Sequence, residues 1–282
     1  MREAEVIGGG GVRLAVREAG VSGAPVLVLL HGWAQSAQVW QPVLAGPLAQ
    51  DYRLLAPDLR GHGDSETPPG GYDDAASWAA DVAAVLAYAA APALLVGWSY
   101  GGLVIVDYLR EYGTGAGSVV GIALVGAITE IGRGHPGGRV GPTMRAALPG
   151  ALSDDPEVAV PALTGFVAGM AALPGTVAQQ LLGTALQVPP RVRAALFDRD
   201  VDSAQVLGAL DVPALVLHGA DDTVVDPRAG AYAASLIPDA TAHEFAGTAH
   251  LPFHEQPDRF AAVLGDFAAT VSAAGKETAR EH

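Results

Sequence analysis

Four short runs in this chain are apolar without interruption: 25–30 (PVLVLL), 93–96 (ALLV), Val119–Val125 (VVGIALV) and 214–217 (ALVL). A strand with one wet face alternates apolar and polar residues, so an unbroken run asks for burial on both faces. Parallel sheets covered by helices meet that condition, and their crossovers need connections long enough to hold a helix. The stretches 37–49, Ala75–Ala89, 101–112, Pro227–Leu236 and 257–272 all read as such helices. Weaker strand signals lie at 53–56 and 241–245, and 5–6 with 12–17 flank a glycine run at 8–11, the pattern of an opening hairpin. The expected class is therefore α/β, a mostly parallel sheet of about eight strands flanked by helices, with the hairpin adding an antiparallel edge.

One region breaks the alternation. From Ile131 to about Leu210 the chain is rich in Gly, Pro and Ala and offers helical pieces at 161–171 and 177–186 but no clear strand. That length exceeds an ordinary connection, which argues for an inserted helical lid, with extra helical units of the main body as the alternative. The expected layout is a core of 1–130 and 211–272, a lid of 131–210 and a flexible tail of 273–282.

Composition excludes several functions. Sixteen basic residues against thirty acidic ones leave a net charge of −14, with no clustered positive patch for nucleic acid or an anionic membrane. Cysteine is absent, which removes thiolate nucleophiles, disulfides and Cys-ligated metals. The first residues carry two acids and no apolar leader segment, and the apolar runs are too short for membrane spans, so the expectation is a cytoplasmic protein. The glycine run is not followed by a helix carrying Lys-Ser/Thr, which argues against a phosphate loop.

The sharpest chemical signal is Gly97-Trp98-Ser99-Tyr100-Gly101, between a strand run and a helical stretch. A serine nucleophile sits on such a strand-to-helix turn, where small residues two positions away on either side permit the bend. Serine needs a base and an orienting carboxylate. His250, in Gly247-Thr248-Ala249-His250 after the last strand run, is the expected base, with His254 the weaker alternative. The turn after 214–217 reads His218-Gly219-Ala220-Asp221-Asp222, followed later by Asp226. Asp222 is the expected carboxylate, Asp221 the runner-up, and Asp226 reads as the cap of the helix at Pro227. Backbone N–H groups of Trp33 and Tyr100 would serve an oxyanion. His31, Phe166, Met170 and Leu251 are the expected pocket residues. Leu148, Leu163, Phe166, Val167, Met170 and Leu173 either form an apolar ceiling or simply pack the lid, and Arg191 and Arg193 could receive an acid group.

Together, His31-Gly32-Trp33, the stretch from Asp58 to Ser65 (DLRGHGDS), Gly97-Trp98-Ser99-Tyr100-Gly101-Gly102, Gly219-Ala220-Asp221-Asp222 and Gly247-Thr248-Ala249-His250 resemble the α/β-hydrolase superfamily. The likeness spans nearly the whole chain outside the lid. It implies the α/β-hydrolase fold, with Arg60 and Asp64 bracing loops near the site. Within the superfamily the motifs look most like small carboxylesterases, the branch that includes pimeloyl-carrier-protein methyl ester esterases and cofactor-free haloperoxidases. The implied function is a serine hydrolase of a small carboxylic ester or lactone, working without metal or organic cofactor. The alternatives are a perhydrolase or haloperoxidase using the same triad, and a non-hydrolytic ligand-binding or specialised member of the fold. Ser99 stands where epoxide hydrolases and haloalkane dehalogenases place aspartate, and Ala34 stands where perhydrolases usually place proline.

Overall fold

The computed structural model describes residues 1–115 and 118–278. Its strands are β1 (Arg2–Ile7), β2 (Arg13–Gly20), β3 (Val26–Leu30), β4 (Arg53–Pro57), β5 (Ala93–Trp98), β6 (Val119–Val125), β7 (Ala214–Gly219) and β8 (Ala240–Phe245). Its helices are α1 (Gln41–Leu44), α2 (Leu48–Asp51), α3 (Ala75–Ala89), α4 (Tyr100–Tyr112), α5 (Pro142–Ala151), α6 (Pro156–Met170), α7 (Gly175–Gln187), α8 (Pro190–Ala195), α9 (Ala204–Gly208), α10 (Pro227–Leu236), α11 (Pro252–Glu255) and α12 (Pro257–Thr278).

The strands form one sheet in the order β1-β2-β4-β3-β5-β6-β7-β8. β1 pairs antiparallel with β2 and β2 with β4, while β3 through β8 pair in parallel. Every residue of β3, β5 and β7 is buried, as unbroken apolar runs require, whereas the edge strands β1 and β8 carry the exposed polar positions. This is the α/β-hydrolase fold, and each expected strand run coincides with one of its eight strands, the runs 12–17 and 25–30 each starting one residue before the strand does. Among the described residues, no helix is long and apolar enough to cross a membrane.

Three helix expectations change. The stretch 37–49 is not one helix: a 3₁₀ turn over Ala37–Trp40 leads into α1, and Gly46-Pro47 separates α1 from α2. Pro47 disfavours helical backbone at Gly46 and has no N–H with which to continue the ladder. Helix α6 begins at Pro156 rather than near Pro161, because the Asp155 side chain caps it by accepting from Glu157 N, and Pro161 sits inside it. Helix α12 runs on to Thr278, so 273–278 of the expected tail are helical, and 279–282 lie outside the described residues.

The glycine turn at 8–11 is built around a carboxylate. Gly9 N–H donates to Asp81 Oδ1 at 2.8 Å, and a Cβ on Gly8 would fall 2.2 Å from that oxygen. Arg60 locks the arrangement, donating to both Asp81 oxygens at 2.7 and 2.8 Å and to the Gly9 and Ser77 carbonyls. A negatively charged side chain already occupies the place a phosphate would need.

Topology positions the site. Chain order reverses between β3 and β5, which are neighbours although β4 intervenes in sequence. At such a switch point the loops leaving the two strands diverge and open a crevice at the carboxyl end of the sheet. The loops after β3, β5, β6, β7 and β8 all emerge at that end.

Candidate active site

At the end of β5 the chain turns so sharply that Ser99 adopts φ 54° and ψ −119°, a conformation L-residues rarely hold. The turn is held by backbone: Ser99 N–H donates to Val125 O at 3.0 Å, and Ser99 O accepts from Gly102 N and Ile128 N. The flanking glycines are steric necessities. A Cβ on Gly97 would lie 2.6 Å from Gly101 O, and one on Gly101 would lie 2.4 Å from Leu30 O. A Cβ on Gly32, at the end of β3, would meet Ser99 Cβ at 2.9 Å, so the β3 loop passes directly against the serine.

His250 and Asp222 come together on the loops after β8 and β7. His250 Nδ1 stands 2.8 Å from Asp222 Oδ2, and both residues are buried. The other carboxylate oxygen, Oδ1, accepts from Val224 N at 2.8 Å and Val225 N at 3.0 Å. Burial pushes the Asp222 carboxyl up, but the charge of His250 and contacts from His218 and His250 outweigh it and hold the group well below the usual carboxylate range. Asp222 is therefore ionised and His250 Nδ1 carries the proton between them.

Two contacts join this pair to the serine turn. Gly126, next to the Val125 carbonyl that holds Ser99, leaves room where a Cβ would come within 3.3 Å of both Asp222 Oδ2 and His250 Nδ1. Trp98, the residue before Ser99, donates its indole N–H to His250 O at 2.8 Å. Among the described residues, no protein hydrogen bond engages Ser99 Oγ or His250 Nε2, and none engages the backbone N–H of Trp33 or Tyr100. The arrangement thus holds a hydroxyl, an oriented imidazole with one free nitrogen and two unspent N–H groups.

The remaining candidates divide. Asp221 is exposed, and Asp226 caps α10 by accepting from Arg228 N at 3.0 Å. His254 points away, its Nε2 2.8 Å from Val39 O. Phe166 packs edge-on against the Trp33 indole at 5.3 Å, Met170 O accepts from His250 N at 2.8 Å, and Leu251 is fully buried beside that histidine. His31 departs from its expected place in a pocket. It is enclosed, with Nδ1 2.8 Å from Gly32 O and Nε2 accepting from Leu59 N at 2.9 Å, so it ties the β3 loop to the β4 loop. Burial pushes its imidazole down to about 4.

Other expectations are corrected by the hydrogen bonds. Arg193 cannot receive an acid group: it is buried and donates to the carbonyls of Ala151, Ala185, Val188 and Ser153, near the carboxyl ends of α5 and α7. Arg191 donates to Pro68 O and Thr67 O. Arg60 braces a loop as expected, but the Asp64 side chain is exposed; Asp58 does that work, accepting from Ala37 N at 2.6 Å and Asp64 N at 2.9 Å.

Sequence reasoning missed Trp98 as a tether, His218 as a neighbour of Asp222, and a buried couple that reaches the Tyr100 hydroxyl. Arg199 Nη2 donates to Asp107 Oδ1 at 2.6 Å and Nη1 to Tyr100 OH at 2.9 Å, which joins the segment before α9 to α4. Glu130, His135 and Asp202 also lie close enough together to suggest a cation site. Glu130 instead accepts from Gly137 N, Ser203 N and Tyr232 OH, and His135 Nε2 sits 2.6 Å from Asp200, so those donors are already spent on the protein.

Comparison with known proteins is consistent with this geometry. A family model described as "Alpha/beta hydrolase family" matches residues 27–263. Among solved structures, the esterase RhEst1 from Rhodococcus sp. ECU1013 superposes with a TM-score of 0.91 at 50% identity, covering 96% of this chain and 100% of its own. A pimeloyl-[acyl-carrier protein] methyl ester esterase of Aromatoleum aromaticum is 30% identical, over 86% of this chain and 97% of its own. A non-heme chloroperoxidase of Streptomyces lividans is 31% identical, over 84% of this chain and 88% of its own.

Proposed function

The chain belongs to the alpha/beta hydrolase family, and we propose that within it the protein is a serine hydrolase of small carboxylic esters or lactones. The observation that carries this reading is the buried His250–Asp222 couple, 2.8 Å apart, beside a serine on a strained turn with two unengaged backbone N–H groups.

In the proposed reaction Ser99 Oγ attacks the acyl carbon while His250 Nε2 takes its proton. Asp222 holds the Nδ1 proton, fixing the tautomer and stabilising the imidazolium that forms. Charge developing on the acyl oxygen is met by the N–H groups of Trp33 and Tyr100, the latter at the first turn of α4 where the helix dipole adds to the effect. His250 returns the proton to the departing alcohol, or to the ring oxygen of a lactone. The same base then activates water to release the acid from Ser99.

Residues 131–210 act as the lid in this reading. They comprise α5 to α9, inserted between β6 and β7, and they place Phe166 over Trp33 and the Met170 carbonyl on His250. Phe166, Met170 and Leu251 would then line an apolar acyl or alcohol site. The engagement of Arg193, buried and spent on four backbone carbonyls, supports uncharged substrate groups.

A second reading, peracid formation with halide oxidation on the same residues, is favoured by the chloroperoxidase relative. Against it, Ala34 has φ 54°, which a proline ring fixed near −65° cannot adopt. The loop after Trp33 therefore has a shape that perhydrolase-like proline would not permit.

Intact-mass analysis after a fluorophosphonate probe, beside Ser99→Ala, tests the reading. The expected result is one adduct, absent in Ser99→Ala together with turnover of p-nitrophenyl esters. A folded wild-type protein that shows neither adduct nor turnover would overturn it, and peroxide-dependent halogenation exceeding ester turnover would favour the second reading.

A further inference from the structure

Resting on the triad reading above, we infer that His218 is a positioning residue: it shares the Oδ2 atom of Asp222 with His250 and so tunes how strongly that carboxylate holds the base. His218 Nε2 stands 3.2 Å from Asp222 Oδ2, the same oxygen that His250 Nδ1 meets at 2.8 Å. It also stands 3.1 Å from Val225 O. A ring nitrogen facing two acceptors carries the proton, so His218 is the Nε2–H tautomer: its hydrogen bond goes to Val225 O, and Asp222 Oδ2 lies close enough to feel the same N–H.

The other nitrogen makes the case stronger. His218 Nδ1 is buried and has no hydrogen-bond partner among the described residues. Its side of the ring packs on α10, where a Cβ on Gly230 would lie 2.6 Å from it, so the helix has no side chain there at all. A buried orphan nitrogen costs stability, and an apolar side chain of similar size would avoid that cost. The compensation the structure offers for that cost is the Nε2–H, placed between Asp222 Oδ2 and Val225 O.

That action follows from hydrogen-bond competition. A carboxylate oxygen that already accepts one N–H is a weaker partner for an imidazolium on the same atom. With His218 in place, part of the capacity of Oδ2 is drawn away from His250, and the carboxylate is held in register from two sides. Without it, Asp222 binds the imidazolium more strongly and the base is lost to protonation at higher pH. Glu255 on α11 also packs near the pair, where it accepts from Ala249 N and Leu251 N. On α10 the nearest charges, Asp226 and Arg228, pair with each other at the surface.

The test is the pH profile of kcat/KM for a p-nitrophenyl ester, with the fluorophosphonate adduct read on the same samples. His218→Leu removes the donor; His218→Asn, too short to reach Asp222, is the second donor-less variant should the first not fold. His218→Gln keeps an N–H near the original Nε2. For Leu and Asn the acid limb is expected to move up by about half a pH unit, with kcat lower by roughly three- to tenfold and KM within about twofold. Gln restores both. An acid limb unmoved in the donor-less variants, or moved as far in Gln, overturns the role of His218 while the Ser99 adduct leaves the triad intact. Wild-type protein without that adduct overturns the triad reading itself, and this inference with it.

Discussion

The indole N–H of Trp98 donates to the carbonyl of His250 at 2.8 Å, across 152 positions of sequence. The same peptide segment is held from the other side, where His250 N–H donates to Met170 O at 2.8 Å. The candidate base is thus suspended between the β5 turn and the end of α6, and its ring position depends on both.

Replacing Trp98 with Phe keeps the ring packing against Phe253 but strands the His250 carbonyl. An unsatisfied buried acceptor costs about 1–3 kcal/mol. Because displacement of about 1 Å can cost a hundredfold, kcat is expected to drop by about ten- to a hundredfold with little change in KM. Steady-state kinetics and a urea titration on the same preparation separate the two effects; unchanged kcat would mean that the tether is dispensable.

Strain at Ser99 should be recoverable as stability. With φ 54° and ψ −119°, the position suits glycine better than any residue with a Cβ. Ser99→Gly is expected to be more stable than Ser99→Ala by about 1 kcal/mol, both being inactive. Chemical denaturation of the two variants decides it, and equal midpoints would show that the turn is unstrained.

The Arg199–Asp107 couple is buried at both ends, with side-chain exposures of 1% and 0%. Arg199→Leu leaves an uncompensated carboxylate and is expected to cost about 3–5 kcal/mol. Adding Asp107→Leu should restore much of that loss, since an apolar pair avoids the desolvation of both charges. A double-mutant cycle from denaturant midpoints measures the coupling; simple additivity would argue that the pair contributes nothing specific.

Acid sensitivity follows from two enclosed imidazoles. Burial pushes His31 down to about 4 and His62 to about 3, against 6.5 for the free group. Their rings are 5.3 Å apart, and charge on His31 further disfavours charge on His62. Depressed folded values mean that the unfolded chain binds the protons first, so stability is fully present above about 6.5 and is lost as pH falls toward 4. Two such protons correspond to about 2–3 kcal/mol per pH unit in that window. Melting temperatures between pH 7 and pH 4 should show this fall, with His62→Leu reducing the slope by about half; a flat profile would contradict it.

Much of the geometry of the candidate site was legible because its signals are local. The Ser99 turn combines a strand run, two glycines and a helix start within a few residues, and the structure gives both glycines a steric reason. Asp222 and His250 follow strands at turn positions, and the sheet topology carries those turns to one edge. His31 was misplaced because a histidine at the end of a strand looks the same whether its nitrogens are free or both engaged by backbone. Asp58 and Asp64 lie in one motif, and only the path of the loop decides which carboxylate turns inward.

Periodicity and glycine placement in the amino-acid sequence by themselves determined the parallel sheet, its strands and the candidate nucleophile. Those features arise from interactions within a few residues, where backbone sterics and burial leave few choices. The tertiary structure alone decided which groups share an atom: His218 with His250 on Asp222 Oδ2, Trp98 with the His250 carbonyl, and Arg199 with Asp107. Such contacts form between segments brought together by burial of the whole core, and a hydrogen bond between them leaves no local pattern in the chain.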